Sequence, residues 1–231
     1  MADGLSVQWP AATLLGRLSD AAQEAVLSLG TVVRVPLNSR LMRVGEPAKQ
    51  AFLLLEGCVK VYSNDNGREP LLAIRVRGDL VGEMAILSGG PRTAMVIAGT
   101  PLVVRAIGAG ELRGFLGREA PVAYALACML AERLAWANQR RVDFAAVDVA
   151  TRVCRVLVAL AEGYGQDNAD GRDLGVSLTQ PEIASLAGVS LNTVEKTLGR
   201  LVGAGLVRSG YRGVTVLDLP RLRQRAEGTE A

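Results

Sequence analysis

The hydrophobic residues between positions 31 and 107 come in short runs, and this limits the folds open to the chain. Val33, Val35 and Leu37 alternate with other residues, and Leu41 and Val44 follow at nearly the same period. Further runs occupy 52–55, 59–62, 71–76, 94–98 and 102–107. Turn signals separate them: Gly45-Glu46-Pro47, Glu56-Gly57, Asn64-Asp65-Asn66-Gly67 and Gly78-Asp79. Asn-Gly type hairpins and runs of this length predict an antiparallel sandwich or jelly roll. Residues 82–94 are the irregular insertion in it.

That insertion reads Gly-Glu-Met-Ala-Ile-Leu-Ser-Gly-Gly-Pro-Arg-Thr-Ala. It has the parts of an anion cradle. A buried phosphodiester needs backbone N–H groups at a short helix start and a guanidinium. Residues 83–87 can supply the helix start, and Arg92 returns across the Gly89-Gly90-Pro91 turn as counter-charge. A carboxylate beside a phosphate must face a donor, so Glu83 is placed to accept from a ribose hydroxyl. Taken singly, these residues also read as a plain turn and a surface ion pair. The whole string in order favours the cradle.

The second half is helical. Ser19-Asp20 predicts a capped helix before the strands, and 111–115 a short one after them. Pro121 suits the first turn of a long helix to about Val147. Ala123, Leu126, Leu130, Leu134, Ala137 and Phe144 form a near coiled-coil stripe interrupted by Arg141. Val122, Met129 and Trp136 form a second apolar face. Two faces suit a helix lying between its own domain and a partner subunit. After a hinge at 148–150, a helix over 151–162 turns Val153, Val156, Leu157 and Leu160 inward. Residues 163–175, rich in Gly, Asp and Asn, predict an exposed loop, and the tail beyond Glu227 is expected to fray.

A second constellation spans 179–194. Thr179 with Glu182 makes a capping box around Pro181. Ile183, Leu186 and Ala187 face inward, Gly188 permits a tight turn, and Ser190 caps a helix whose core face is Val194, Leu198 and Leu201. This is a helix-turn-helix. Leu206-Val207 and 214–216, joined by a 210–213 tip, add a β wing. The first turn of a second helix meets base edges, and here Leu191, Asn192, Thr193 and Lys196 point outward. Asn can bond adenine bidentately, Lys can reach guanine or phosphate, and Leu can touch a thymine methyl. Thr179, Arg200, Arg208 and Arg212 are candidate phosphate contacts.

Composition narrows the chemistry. The 231 residues are 49% hydrophobic, enough for about two small domains. No apolar run of about 18 residues lacks a charge. Met1-Ala-Asp-Gly opens no basic-then-apolar leader, so a cytoplasmic protein is expected. With no histidine in the sequence, histidine-ligated zinc or haem and a histidine base are excluded. Cys58, Cys128 and Cys154 are unclustered and read as isolated buried thiols. No nucleophile–base motif appears, so no enzyme is expected. A net charge of +3 permits nucleic-acid binding without demonstrating it.

Residues 82–94 resemble the phosphate-binding cassette of cyclic-nucleotide-binding domains. With the helix-turn-helix, nearly the whole chain resembles the catabolite activator (CRP/FNR) family of bacterial transcription regulators. The resemblance implies an α+β chain: a β-roll effector domain (1–118), a dimerisation helix and hinge (119–148), and a winged helix-turn-helix (149–231). It implies Glu83 on the ribose 2′-hydroxyl, Arg92 and Thr93 on the cyclic phosphate, and Gly82, Met84 and nearby main chain lining the pocket. Arg133 matches a family arginine near the ribose-binding glutamate. Ala137 and Asn138 take the base-contacting place, where the common Thr-Ser pair is absent. The effector implied is cAMP, or cGMP given Thr93 and Asn138; a vestigial pocket or another ligand is the alternative. The partners implied are pseudo-palindromic duplex DNA, a second copy of the chain, and RNA polymerase. The family's usual Arg-Glu at Leu191-Asn192 and Arg at Lys196 are missing, so its usual half-site is not carried over.

Overall fold

The computed structural model describes residues 8–63, 70–210 and 213–228. The hairpin signal at Asn64-Asp65-Asn66-Gly67, and Arg212, lie outside the described residues. The chain divides into two compact units, one holding 1–64 and 74–132, the other 65–73 and 133–231.

In the first unit a 3-10 turn, Leu15–Arg17, precedes helix α1, Asp20–Leu27. Ser19 stands at the N-cap as expected, but its hydroxyl makes no capping hydrogen bond. Eight strands follow, of which β5 begins in residues of the second unit and enters the first at 74: β1 (Thr31–Val35), β2 (Arg40–Met42), β3 (Gln50–Glu56), β4 (Cys58–Tyr62), β5 (Leu71–Val76), β6 (Leu80–Val81), β7 (Met95–Ala98) and β8 (Leu102–Gly108). They form two four-stranded sheets, ordered β1-β8-β3-β6 and β2-β7-β4-β5. The pairs β1–β8, β3–β8, β3–β6, β2–β7 and β4–β7 are all antiparallel. Helix α2 (Glu83–Ser88) interrupts the strands where the irregular insertion was read.

Strand β3 is buried on both faces, and its period-2 alternation separates two cores. Ala51 and Leu53 join Leu14, Ile86, Ile107 and Phe115 on the helical side. Phe52 and Leu54 join Met42, Val59, Val96 and Val104 in the other cluster. Helix α3 (Ala109–Leu116) covers the helical side, and so does the start of α4 (Ala120–Ala146), through Val122, Ala125, Leu126 and Met129.

This corrects the stripe read from the sequence. Leu126, assigned to a partner-facing seam, is 2% exposed in the core with Val122 and Met129. Leu134, Ala137 and Phe144 of that stripe are exposed, and an exposed line also runs through Tyr124, Ala127, Ala131, Leu134, Asn138 and Arg141. Its spacing of three and four is that of a heptad seam. Arg141 lies on this line rather than interrupting it.

In the second unit Asp148 caps α5 (Val149–Tyr164), its Oδ1 accepting from the N–H groups of Ala150 at 2.9 Å and Thr151 at 3.0 Å. Buried Asp143 accepts from Arg155 Nη1 at 2.5 Å and Gln139 Nε2 at 2.9 Å, while Arg155 Nε donates to Ala226 O. That network ties α4 and α5 to α8 (Leu219–Glu227), a helix the sequence reading missed. The 163–175 stretch is not a loop throughout. It holds β9 (Gln166–Asn168) and β10 (Gly171–Asp173), which extend a wing sheet ordered β11-β12-β10-β9. Strands β11 and β12 are Val207–Gly210 and Gly213–Val216. Cys58 and Cys154 are buried, but Cys128 is half-buried. Burial pushes the Cys154 thiol up to about 11.

The Asp148 carboxyl lies below its ordinary range. The Thr151 hydroxyl bond is the main cause, burial opposes it, and the two N–H bonds and Arg152 assist. Its stabilisation is therefore full above the unfolded carboxylate pKa and lost as pH falls through the folded value. Asp148→Ala should cost about 0.5–2 kcal/mol at neutral pH. In urea titrations at several pH values, that deficit should shrink as the medium is acidified.

Candidate functional site

The cassette is built around Gly82 and Arg92. Gly82 caps α2 with φ +84°, a conformation glycine adopts without strain. Space demands glycine as well. A Cβ there would stand 2.6 Å from Arg92 Nη1 and 2.9 Å from Met42 Sδ. Arg92 is 6% exposed. Its Nη1 donates to Gly82 O at 2.8 Å, and its Nη2 donates to Gln50 O at the start of β3. Two of five guanidinium N–H groups are so committed, and the rest remain as donors.

The backbone of Arg92 is held by a turn far away in sequence. Arg92 N donates to Glu46 O at 2.9 Å, Gly45 N donates to Arg92 O at 2.8 Å, and Pro47 bridges Pro91. Glu46 Oε2 in turn accepts from Arg43 N at 3.1 Å. Burial lowers the Arg92 pKa, and the charges of Glu46 and then Glu83 oppose that. Glu83 is 2% exposed. The guanidinium is therefore held by backbone acceptors before any ligand arrives, with two carboxylate charges keeping it protonated. Sequence reasoning missed Glu46 and the Gln50 carbonyl, because nothing local to residues 82–94 points to them.

The structure thus brings Gly82, Glu83 and Arg92 together. Met84, at 55% exposed, and Thr93 lie on the surface beside them. Arg133 is half-buried and Asn138 exposed on the part of α4 assigned to the second unit, as is Ala137. The residues present fit a phosphate-bearing ligand, since the donor is buried, charged and fixed, and its cradle has no room for a side chain at Gly82.

In the second unit the helix-turn-helix is α6 (Gln180–Ala187) and α7 (Leu191–Gly203). The capping box forms as read: Glu182 N donates to Thr179 Oγ1 at 3.4 Å, and Thr179 N to Glu182 Oε2 at 2.8 Å. Thr179 Oγ1 also donates to Glu182, so the hydroxyl assigned to phosphate is engaged in the cap. Ser190 Oγ accepts from Thr193 N at 3.2 Å and lies 2.9 Å from Thr193 Oγ1. Val194, Leu198 and Leu201 are buried, and so is Thr197. Leu191, Asn192, Lys196 and Arg200 are exposed and Thr193 half-buried. Arg208 pairs through Nη2 with Asp170 Oδ2 at 2.9 Å, a contact supplied by the strands mistaken for a loop.

Among the described residues no group of acidic or cysteine side chains is placed to hold a metal ion, and no helix is long and apolar enough to cross a membrane.

The chain matches two known domain families. Residues 32–119 match the cyclic nucleotide-binding domain, and residues 151–225 the Crp-like helix-turn-helix domain. It is 31% identical to the CRP-like cAMP-activated global transcriptional regulator of Mycobacterium tuberculosis, over 84% of this chain and 87% of that protein. A CRP/FNR-family transcriptional regulator from Thermus thermophilus superposes with a TM-score of 0.70 at 25% identity, covering 87% of this chain and 100% of that one. The c-di-GMP responsive global regulator CLP of Xanthomonas campestris shares the fold, with a TM-score of 0.71 at 24% identity over 87% of this chain and 100% of that one.

Gly82→Ala should destabilise the first unit by more than about 1 kcal/mol, because a left-handed backbone and a blocked Cβ act together. Urea unfolding should show that loss, whereas Gly110→Ala, where a Cβ meets nothing within 4 Å, should not.

Proposed function

We propose that this chain, which belongs to the CRP/FNR family of transcription regulators, is gated by a cyclic mononucleotide and acts as a homodimer on pseudo-palindromic DNA. The observation that carries the reading is Arg92: a buried guanidinium, fixed against Gly82 and Gln50 and keeping free donors. Its match is the cyclic phosphate, with Thr93 beside it and Glu83 on the ribose 2′-hydroxyl. Gly82 and Met84 belong to the same cassette, and the family resemblance adds Arg133 for the ribose side and Asn138 for the base. The relatives named as cAMP-activated favour cAMP. Thr93 and Asn138 can serve guanine as well as adenine, so the preference over cGMP is modest.

The exposed seam of α4, Tyr124 to Arg141, suits a two-fold partner, and a two-fold pair would present two α7 helices one DNA turn apart. Asn192 and Lys196 read base edges, Leu191 meets a thymine methyl, and Ser190 and Thr193 form the capped start of the helix. Arg200, Arg208 and Arg212 contact phosphates, whereas Thr179, whose hydroxyl and N–H both donate to Glu182, serves as the cap of α6. Effector binding shifts DNA affinity through a coupling free energy of about 1–3 kcal/mol, which acts reciprocally. RNA polymerase is the expected protein partner.

Arg92→Ala should weaken cAMP binding by about 2–5 kcal/mol in calorimetry, with a cooperative thermal transition kept at a lower midpoint; unchanged affinity would remove the phosphate assignment. On DNA, Asn192→Ala should relax selection at one position per half-site by about 1–3 kcal/mol. Arg208→Ala should weaken all sequences alike and flatten the salt dependence. Selection from a random pool at fixed salt distinguishes the two; a lower affinity with an unchanged motif would make Asn192 a backbone contact.

A further inference from the structure

Three separate pieces of chain meet at Ser185 in the second unit. Leu71, at the start of β5, donates its N–H to Ser185 Oγ at 2.6 Å. Arg140, on α4, donates Nη1 to Leu72 O at 3.1 Å and Nη2 to Ser185 O at 3.3 Å. One guanidinium thus bridges a strand carbonyl and a carbonyl in the last turn of α6. Ser185 O also accepts from Gly188 N at 3.3 Å, so Arg140 adds a cation to a C-terminal turn that the backbone already closes.

Aromatic rings hold the guanidinium in place. It lies 4.7 Å from the Trp136 centroid and 6.0 Å from that of Phe144. Phe144 in turn packs on the turn of the helix-turn-helix, where a Cβ on Gly188 would come 2.0 Å from Phe144 Cε1. The contact is docked without being deeply seated. A cavity of about 180 Å³ flanks it, lined by Trp136, Arg140, Phe144, Arg152, Leu186 and Ala187 among others. Arg140 Nε and Arg152 Nε are buried without a hydrogen-bond partner. Burial also depresses the Arg140 pKa. An unmet buried donor opposes docking, and a neighbouring void lets these side chains move without displacing a packed core.

We propose that Arg140 is a positioning residue that latches the start of β5 to α6 and so couples the pose of the helix-turn-helix to that strand. Strand β5 continues without a break into residues 74–76 of the first unit. A shift along β5 therefore reaches Leu71 and Leu72 through the chain itself, and reaches α6 through Arg140 and Ser185. Arg rather than Lys is needed, because only a planar fork donates to two carbonyls while stacking on a ring.

Amide hydrogen exchange on the full chain tests the latch without any ligand. Arg140→Ala should speed exchange at Leu71, Gly188 and Val189 together, by about tenfold or more, and leave Val104 in β8 unchanged. Arg140→Lys should reproduce most of that effect. Acceleration at Gly188 and Val189 with Leu71 still protected would overturn the coupling. If Arg140→Ala does not fold, Ser185→Ala serves instead: it removes the acceptor of the Leu71 N–H, and a Leu71 amide that stays protected would overturn the docking.

A second arm rests on the effector reading. The gain in DNA affinity on adding cAMP should fall by about tenfold in Arg140→Ala, and an undiminished gain would overturn the latch. A wild type that does not bind cAMP at all would instead count against the effector, and the exchange experiment then decides the latch alone.

Discussion

The first unit depends on a strand that has no solvent side. Strand β3 sends Ala51 and Leu53 one way and Phe52 and Leu54 the other, so two cores share one backbone. A one-residue slip of β3 would exchange the two sets and disrupt both cores. The same strand begins at Gln50, whose carbonyl accepts from Arg92. The register that secures the cores thus also places one of the acceptors that fix the cationic centre of the cassette.

The cassette shows how a charge is kept in an interior. A buried guanidinium is tolerated when its hydrogen bonds are satisfied and opposite charges are near. Arg92 has two carbonyls and the charges of Glu46 and Glu83 for this. Its position therefore does not wait on a ligand. The helix-turn-helix is organised by local caps instead, with Thr179–Glu182 and Ser190–Thr193 each closed within three residues.

That difference decides what was legible in the sequence. Thr179, Glu182, Ser190, Val194, Leu198 and Leu201 could be placed because their partners lie within a few turns of the same helix. Gly82, Glu83 and Arg92 could be grouped because they share one short string. Glu46 could not, since it reaches Arg92 only through the pairing of two turns more than forty residues apart. Gly, Asp and Asn dominate 163–175 and hide strands β9 and β10; the pairing of β10 with β12, and of β9 with β10, is a tertiary override of weak local propensity. Helix α8 escaped because only Leu222 and Ala226 are buried in a highly charged segment. Leu126 was misassigned because two apolar stripes one position apart look alike until the packing partner is known.

The Arg208–Asp170 pair gives the wing a property that a count of basic residues would miss. Both side chains are largely exposed, so the pair itself adds little to stability. Its effect falls on association. A phosphate that approaches Arg208 also meets the Asp170 carboxylate beside it, which offsets part of the arginine's charge. The wing's cation is thus partly neutralised from within, and a polyanion gains less from it than from an unpaired arginine. Loose, sequence-independent attachment is weakened most, because it draws nearly all its affinity from such charges.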